Sequence, residues 1–314
     1  MKTTISNFSL AILMASASLT AYAATDAPYV QNPKYSADIL VKEAFSKISR
    51  NYSNDESLVS AYYKENVSKN NQTISLNEAL LDIEKASYLN DKNDKILVKK
   101  IRKNETNMPE PLKFKLQGGP VHIAKLDVVK HSLPGCDNKK IEDLYTFEYD
   151  TPVEQDGKIM YVVKFDQKVA CDEILYRGKI YIESESRAIS KVEFNMNIED
   201  RGDGYLSFIK NKPSHIKVKI TNAKYVVGYK EYNGKWYYDF SRSDVSMQVR
   251  NNKTGTNNNF CITSGLVVTS YNPLTTTPHG ELIKASEILA DKKINGEESL
   301  IWELYDEMML LAML

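Results

Sequence analysis

The sequence is poor in the residues from which reactive centres are built. Its four histidines, His122, His131, His215 and His279, are scattered, and none forms the i, i+4 pair of a metalloprotease helix, so no metal site is expected. Serine-hydrolase chemistry would require a nucleophile in a Gly-x-Ser-x-Gly elbow, and that motif is missing. The nearest fragment, Ser264-Gly265, reads as a strand end. Gly118-Gly119-Pro120 and Gly202-Asp203-Gly204 lack the spacing and the following Lys-Ser/Thr of a phosphate-cradling loop, and read as turns. No cofactor and no catalytic residue are therefore expected. Neither sign of charge prevails, because 41 basic and 41 acidic residues are interspersed along the chain, which argues against nucleic acid or an anionic membrane as partner. Only 13 glycines and 10 prolines occur in 314 residues, and there is no repeat or low-complexity tract. The longest apolar stretch, Phe8 to Leu19, is shorter than the roughly 20 residues of a spanning helix, so no transmembrane segment is expected in the mature chain.

That stretch follows Lys2 and precedes Ala21-Tyr22-Ala23, the small-x-small pattern accepted by signal peptidase. The expectation is a signal peptide over 1–23 and an exported mature chain, periplasmic, outer-membrane-associated or secreted. Ala24, Thr25 and Asp26 follow with no cysteine to take a lipid, which argues against a lipoprotein. What remains is ample for a hydrophobic core: one main antiparallel β domain over 24–280 and a helical C-terminal segment over 281–314. Twenty tyrosines suit the half-buried surface of a sheet. Of Cys136, Cys171 and Cys261, the first two each precede a candidate strand and could bridge in an oxidising compartment. Closing that loop would contribute about 3 to 4 kcal/mol. Three buried thiols acting as small apolar residues is the alternative.

Helical periodicity is clearest over 37–50, where Ala37, Leu40, Val41, Ala44, Phe45 and Ile48 share a face, with Ser36 placed to cap and Asp38 in the first turn. The segment 74–88 is ambiguous: NEALLDIEKAS favours helix by residue type, while Leu81 and Ile83 alternate as in a strand. From Leu144 the period becomes two. Tyr145, Phe147 and Tyr149 share a face, as do Ile159, Tyr161, Val163 and Phe165 after the turn at Gln155 to Lys158. Ile174 to Ile182 and Ala188 to Ile198 alternate likewise. Tyr225, Val227 and Tyr229 lead into Asn233-Gly234, a strong hairpin signal, and Trp236, Tyr238 and Phe240 return. Val245 to Val249 is expected to continue the meander and Phe260 to Ser270 to add a strand, with the polar run 251–259 as a loop. Short connections imply an antiparallel sheet. Helices are expected over 281–291 and 297–314, the latter ending in the apolar MMLLAML, which needs a groove or an interface to cover it.

Three further features read most simply as structure. Arg201-Gly202-Asp203 spells an integrin-binding tripeptide, but its acidic neighbours Glu199 and Asp200 suggest a hairpin tip. Glu183 and Glu185 could imitate a glycosidase pair, yet without a cleft they are solvated residues. The sequons at Asn51, Asn66, Asn71, Asn104 and Asn252 matter only in a eukaryotic secretory route.

The blocks YTFEYDTPVEQDGKIMYVVKF (145–165) and YRGKIYIESESRAISKVEF (176–194) resemble the core of a Gram-negative envelope family of carboxypeptidase-like regulatory-domain-containing proteins. ILVKEAFSKISRNY, LVSAYYKENV, LNEALLDIEKASY, LQGGPVHIAKLDVV, YNGKWYYDFSR and SLIWELYDEM follow the family's order, so the likeness covers most of the mature chain. The likeness starts almost at the expected mature N-terminus, so the family's N-terminal regulatory-type β-sandwich is not expected here, and the name implies no peptidase activity. Tyr176, Gly178, Ile180, Tyr181 and Ile182 are also similar to strands of the periplasmic lipoprotein carriers, whose half-barrel holds acyl chains. These resemblances imply that 76–88 is a strand, and that the fold is α+β, mostly β: a large curved antiparallel sheet with an N-terminal amphipathic helix and C-terminal helices. They point to a non-enzymatic envelope protein that holds a lipid or acylated ligand on a concave face bearing Phe147, Tyr161, Val163, Ile180 and Phe194. A filled core on that face is the simpler alternative. An interaction module for outer-membrane or other envelope proteins, using the C-terminal helix, is a second reading, and a hydrolase of envelope polymers a third.

Overall fold

A computed structural model describes residues 32–105, 119–133, 141–168, 174–198, 208, 212–275, 278–287, 289, 292, 302, 305, 307 and 309. The expected signal peptide, Cys136, Cys171, Gly118, the Gly202 turn and Arg201-Gly202-Asp203 lie outside the described residues.

Two helices open the described chain, α1 (Ala37–Ser46) and α2 (Ile48–Asn51), so the expected 37–50 helix is broken at Lys47. Ala37, Leu40, Val41 and Ala44 form the buried stripe. Ser36 occupies the N-cap position with extended backbone but makes no capping bond from its side chain. Its hydroxyl engages the Asp38 carboxylate, which holds that carboxyl below its ordinary range. Strands β1 (Ser57–Lys69), β2 (Gln72–Lys85) and β3 (Lys95–Glu105) follow. The ambiguous 76–88 segment is thus mostly strand: its alternate Ala79, Leu81 and Ile83 are buried against the core, and that burial outweighs the helical propensity of its residues.

Short helices α3 (Gly119–Ala124), α4 (Val128–His131) and α5 (Ile141–Leu144) come next. Gly119 and Pro120 therefore begin a helix, where a turn was expected; proline suits a first helical turn because its missing N–H has no partner there anyway. Then come β4 (Tyr145–Tyr149), β5 (Val153–Gln155), β6 (Lys158–Gln167), β7 (Tyr176–Glu183), β8 (Ile189–Met196), β9 (Ile216–Tyr232), β10 (Lys235–Asn251), β11 (Thr256–Pro273) and β12 (Glu281–Leu282). Three points differ from expectation. Trp236 to Val249 is one strand, not two. The polar run 251–259 is only partly a loop, because Thr256 to Asn259 pair with β10. The expected 281–291 helix begins instead with a strand: Glu281 and Leu282 pair with Val98 and Leu97 of β3, and the edge of a sheet supplies backbone partners that local propensity does not reveal.

The strands form one sheet in the order β12-β3-β2-β1-β11-β10-β9-β8-β7-β6-β4, with β5 also on β6, and every pairing is antiparallel. Tight turns at Asn70-Asn71, Asp156-Gly157 and Asn233-Gly234 have positive φ at both residues, matching the twist of the strands they join. Register shifts in β1–β11, β1–β2, β2–β3, β7–β8 and twice in β9–β10 each bend a strand and increase its twist. The result is a large, open, curved half-barrel. Its concave side carries the main core, into which α1, α3 and α4 place Leu40, Val41, Ile123, Val128 and Val129. A smaller cluster on the other face unites Tyr62 and Val267 with Trp302 and Met309. Of the expected 297–314 helix, the described residues Trp302, Tyr305, Glu307 and Met309 are helical, and the apolar ones pack on the sheet. No helix among the described residues is long and apolar enough to cross a membrane.

Candidate functional site

The five residues expected on the concave face do share one face. Phe147 pairs with Phe165, Val163 with Ile180, Tyr161 with Ile182 and Phe194 with Gly178, which sets all five side chains on the same side of the pleat. Their accessibility differs. Val163 and Ile180 are 0% exposed and Phe194 is 1% exposed, inside the core that the helices complete. Phe147 and Tyr161 are half-buried at its margin. Phe194 stacks on Tyr225 with ring centres 5.1 Å apart, and Tyr176 closes on it edge-on at 5.5 Å. This part of the concave face is filled by protein. Glu183, the other carboxylate singled out from the sequence, is buried in a hairpin end and accepts from the Ser186 N–H and hydroxyl, both at 2.6 Å, and from the Glu185 N–H at 2.9 Å. Burial raises its pKa, but these donors outweigh burial and leave it below the ordinary value. It organises a turn.

A polar centre lies deeper. Lys85, at the end of β2, is fully buried and its Nζ sits 2.8 Å from both Asp94 and Asp127. Asp127 also accepts from the hydroxyls of Tyr229 at 2.8 Å and Tyr88 at 3.0 Å, and from the Lys130 N–H as the N-cap of α4. Asp94 accepts from the Ala86 N–H at 2.9 Å. The Lys85 ammonium lies 5.0 Å from the Tyr88 ring centre and 5.5 Å from that of Tyr238. Burial alone would favour the neutral forms of Lys85 and Asp127. The pair instead holds Lys85 above its ordinary pKa and Asp127 below its own, against the opposing effect of burial. With every partner in place, the centre ties α4 and the end of β2 to the middle of the sheet.

Beside it the sheet parts. Strands β10 and β11 pair from Asn251–Thr256 up to Phe240–Val267, and no further. Beyond that point β10 stays with β9, where Tyr238 faces Tyr229, while β11 stays with β1, where Ser270 faces Ser60. Both strands bulge at this level: Asp239 is the extra residue between Tyr238 and Phe240, and Thr269 the extra residue between Val268 and Ser270. Two bulges facing each other bend their strands away from a common ladder. The wedge so opened holds a cavity of about 620 Å³ whose walls include Tyr237, Tyr238, Asp239, Val268 and Tyr271, with Tyr232 at its lip. The Tyr271 hydroxyl donates across the gap to the Tyr238 carbonyl, and the Tyr237 and Tyr271 rings meet at 57° with centres 4.9 Å apart. Burial raises the pKa of Asp239 despite the opposing charge of Lys230, and its carboxylate has no hydrogen bond or ion pair among the described residues.

Sequence reasoning placed Trp236, Tyr238 and Phe240 on one face and so passed over this wedge. The bulge reverses the alternation: Tyr238 belongs to the concave core, and Phe240 to the opposite cluster beneath Trp302. An Asp between two aromatic residues in a strand, following a Tyr-Tyr pair, was the available signal.

No family model matches the chain, and no curated protein matches it. Solved structures do. The chain is similar to a domain described as outer membrane lipoprotein-sorting from Vibrio parahaemolyticus, at 14% identity over 77% of this chain and 94% of that chain, with a TM-score of 0.35. It is also similar to a DUF1329 family protein from Desulfovibrio piger, at 10% identity over 77% of this chain and 92% of that chain, with a TM-score of 0.29. A third likeness is to lipovitellin, at 10% identity over 73% of this chain and 27% of that chain, with a TM-score of 0.32. These scores are too low to carry a ligand or a role to this chain, whose half-barrel architecture stands on its own strand order and register.

Proposed function

We propose that this chain is an exported, non-enzymatic protein of the cell envelope that binds the apolar part of a lipid or acylated ligand in the wedge between β10 and β11. The cavity of about 620 Å³ supports this reading: it has the size of a small-molecule site, and aromatic side chains form much of its wall. The filled state of the concave face at Val163, Ile180 and Phe194 favours the wedge over the position expected from sequence, leaving Phe147 and Tyr161 at the margin. The structural duties of Glu183, Asp94 and Asp127 accord with a binding role, since each is engaged in holding a turn or a helix. Export rests on the 1–23 segment, and membership of the regulatory-domain family on the blocks at 145–165 and 176–194.

Titration of the purified exported protein with a neutral fluorophore carrying a dodecyl chain tests this. Saturable binding is expected, and Val268→Trp, which places an indole in the cavity, should reduce affinity at least tenfold. Absence of saturable binding, or binding indifferent to that substitution, rules out the wedge as the site.

A further inference from the structure

The wedge has a chemical polarity as well as a size. Its charged wall residues are Asp55, Glu56, Glu231 and Asp239 against Lys230. Two of the acids are already paired outside the cavity, Glu231 with Lys158 and Glu56 with Lys92. Asp55 and Asp239 remain against Lys230. Lys230 is exposed, whereas Asp239 sits inward on the bulge, where its charge acts on both Tyr238 and Tyr271. The neighbouring Tyr237 and Tyr271 rings meet at 57°, forming an aromatic corner, and the Tyr238 carbonyl lies at the same level.

Each component disfavours an anion and suits a cation. Asp239 is half-buried with no hydrogen bond or ion pair among the described residues, so a ligand's positive charge beside it would be attracted at less than full solvent screening. Two aromatic faces set at an angle attract an ammonium group through their quadrupoles, and aromatic cages recognise quaternary ammonium in this way. The Asp239 carboxylate and the Tyr238 carbonyl accept hydrogen bonds only.

From this we infer that the wedge recognises a cationic head group, a substituted ammonium carried on an apolar chain, with Asp239 as its counter-ion and Tyr237 and Tyr271 as its aromatic walls. The inference rests on the binding reading above and specifies the ligand's chemical class.

The test is displacement of the neutral dodecyl fluorophore by two competitors of equal chain length, dodecyltrimethylammonium and dodecanoate, each kept below its micelle concentration. The cationic competitor should displace the probe at a concentration at least tenfold lower than the anionic one. Asp239→Asn, which keeps the shape of the side chain, should bring the two to within about threefold, each displacement being referred to that variant's own affinity for the fluorophore. Should Asp239→Asn fail to fold, tetramethylammonium, which lacks the chain, should still displace the probe from the parent protein where sodium does not. Equal displacement by both dodecyl competitors, or a cation preference that survives Asp239→Asn, overturns the charge assignment and leaves the binding reading intact. Failure of the fluorophore to bind at all overturns both.

Discussion

Replacing Lys85 by Met is the most informative perturbation of the core. The side chain is fully buried, so methionine keeps much of its volume while deleting the ammonium that pairs with Asp94 and Asp127, each at 2.8 Å. Asp127 is 0% exposed, so water cannot take over. Breaking a buried pair by removing one partner costs about 3 to 5 kcal/mol, because the remaining charge is left uncompensated. For a protein of this size that corresponds to a fall in thermal midpoint of roughly 5 to 8 °C. Urea titration of Lys85→Met, Asp127→Asn and the double variant measures it, and the double variant should lose about 1 to 3 kcal/mol less than the two single losses together. The pH dependence has a defined sign. The folded-state pKa of Asp127 is depressed, so its stabilising contribution is present above about pH 4, the unfolded value, and is lost as pH falls through the folded value. Lys85 is raised, so its contribution is present below about pH 10.4 and is lost only as pH rises through the folded value. The deficit of Lys85→Met should shrink in mild acid, because without Lys85 burial favours the neutral form of Asp127. A loss under about 1 kcal/mol at pH 7, or strictly additive variants, would refute the idea that this triad is a coupled buried centre.

Gly178→Ala should be costlier than Gly228→Ala in chemical denaturation. An added methyl at Gly178 would lie 1.9 Å from the Glu193 carbonyl oxygen, which is backbone, whereas at Gly228 it would meet the Phe240 ring at 2.1 Å, and a ring can turn. Overpacking of this kind costs about 1 to 3 kcal/mol, with Gly178 at or beyond the upper end. Trp302→Ala, which empties the outer cluster with Tyr62 and removes the indole lying 5.1 Å from the Arg102 guanidinium, should cost about 3 to 5 kcal/mol and expose the C-terminal segment to limited proteolysis. The Asp150 carboxyl, held down to about 2 by Lys179, the Thr151 N–H and Lys164, should titrate in NMR well below the ordinary aspartate value, and Lys179→Met should move it up.

How far the sequence alone carries depends on whether a signal is local. The hairpins at Asp156-Gly157 and Asn233-Gly234 were legible because a two-residue turn needs positive φ twice, and Asp-Gly and Asn-Gly tolerate it. The shared face of Phe147, Tyr161, Val163, Ile180 and Phe194 was legible because side chains alternate strictly along a strand once the register is set. The α1 stripe from Ala37 to Ala44 followed from helical spacing in the same way.

What the sequence by itself determined is therefore the antiparallel strands, the amphipathic helix and which side chains share a face, since each follows from periods of two or 3.6 residues within short windows and from short connections, while the curvature was implied by the resemblance to the lipoprotein carriers. Only the tertiary structure decided that the concave face is filled at Val163, Ile180 and Phe194, that β12 closes on the edge of β3, and that Lys85, Asp94 and Asp127 meet in the interior. It also decided where the sheet opens. Asp239 and Thr269 are far apart in the chain, and neither bulge alone makes a cavity. Their strands part because β9 and β1, on opposite flanks, hold the two bulged ends in separate ladders.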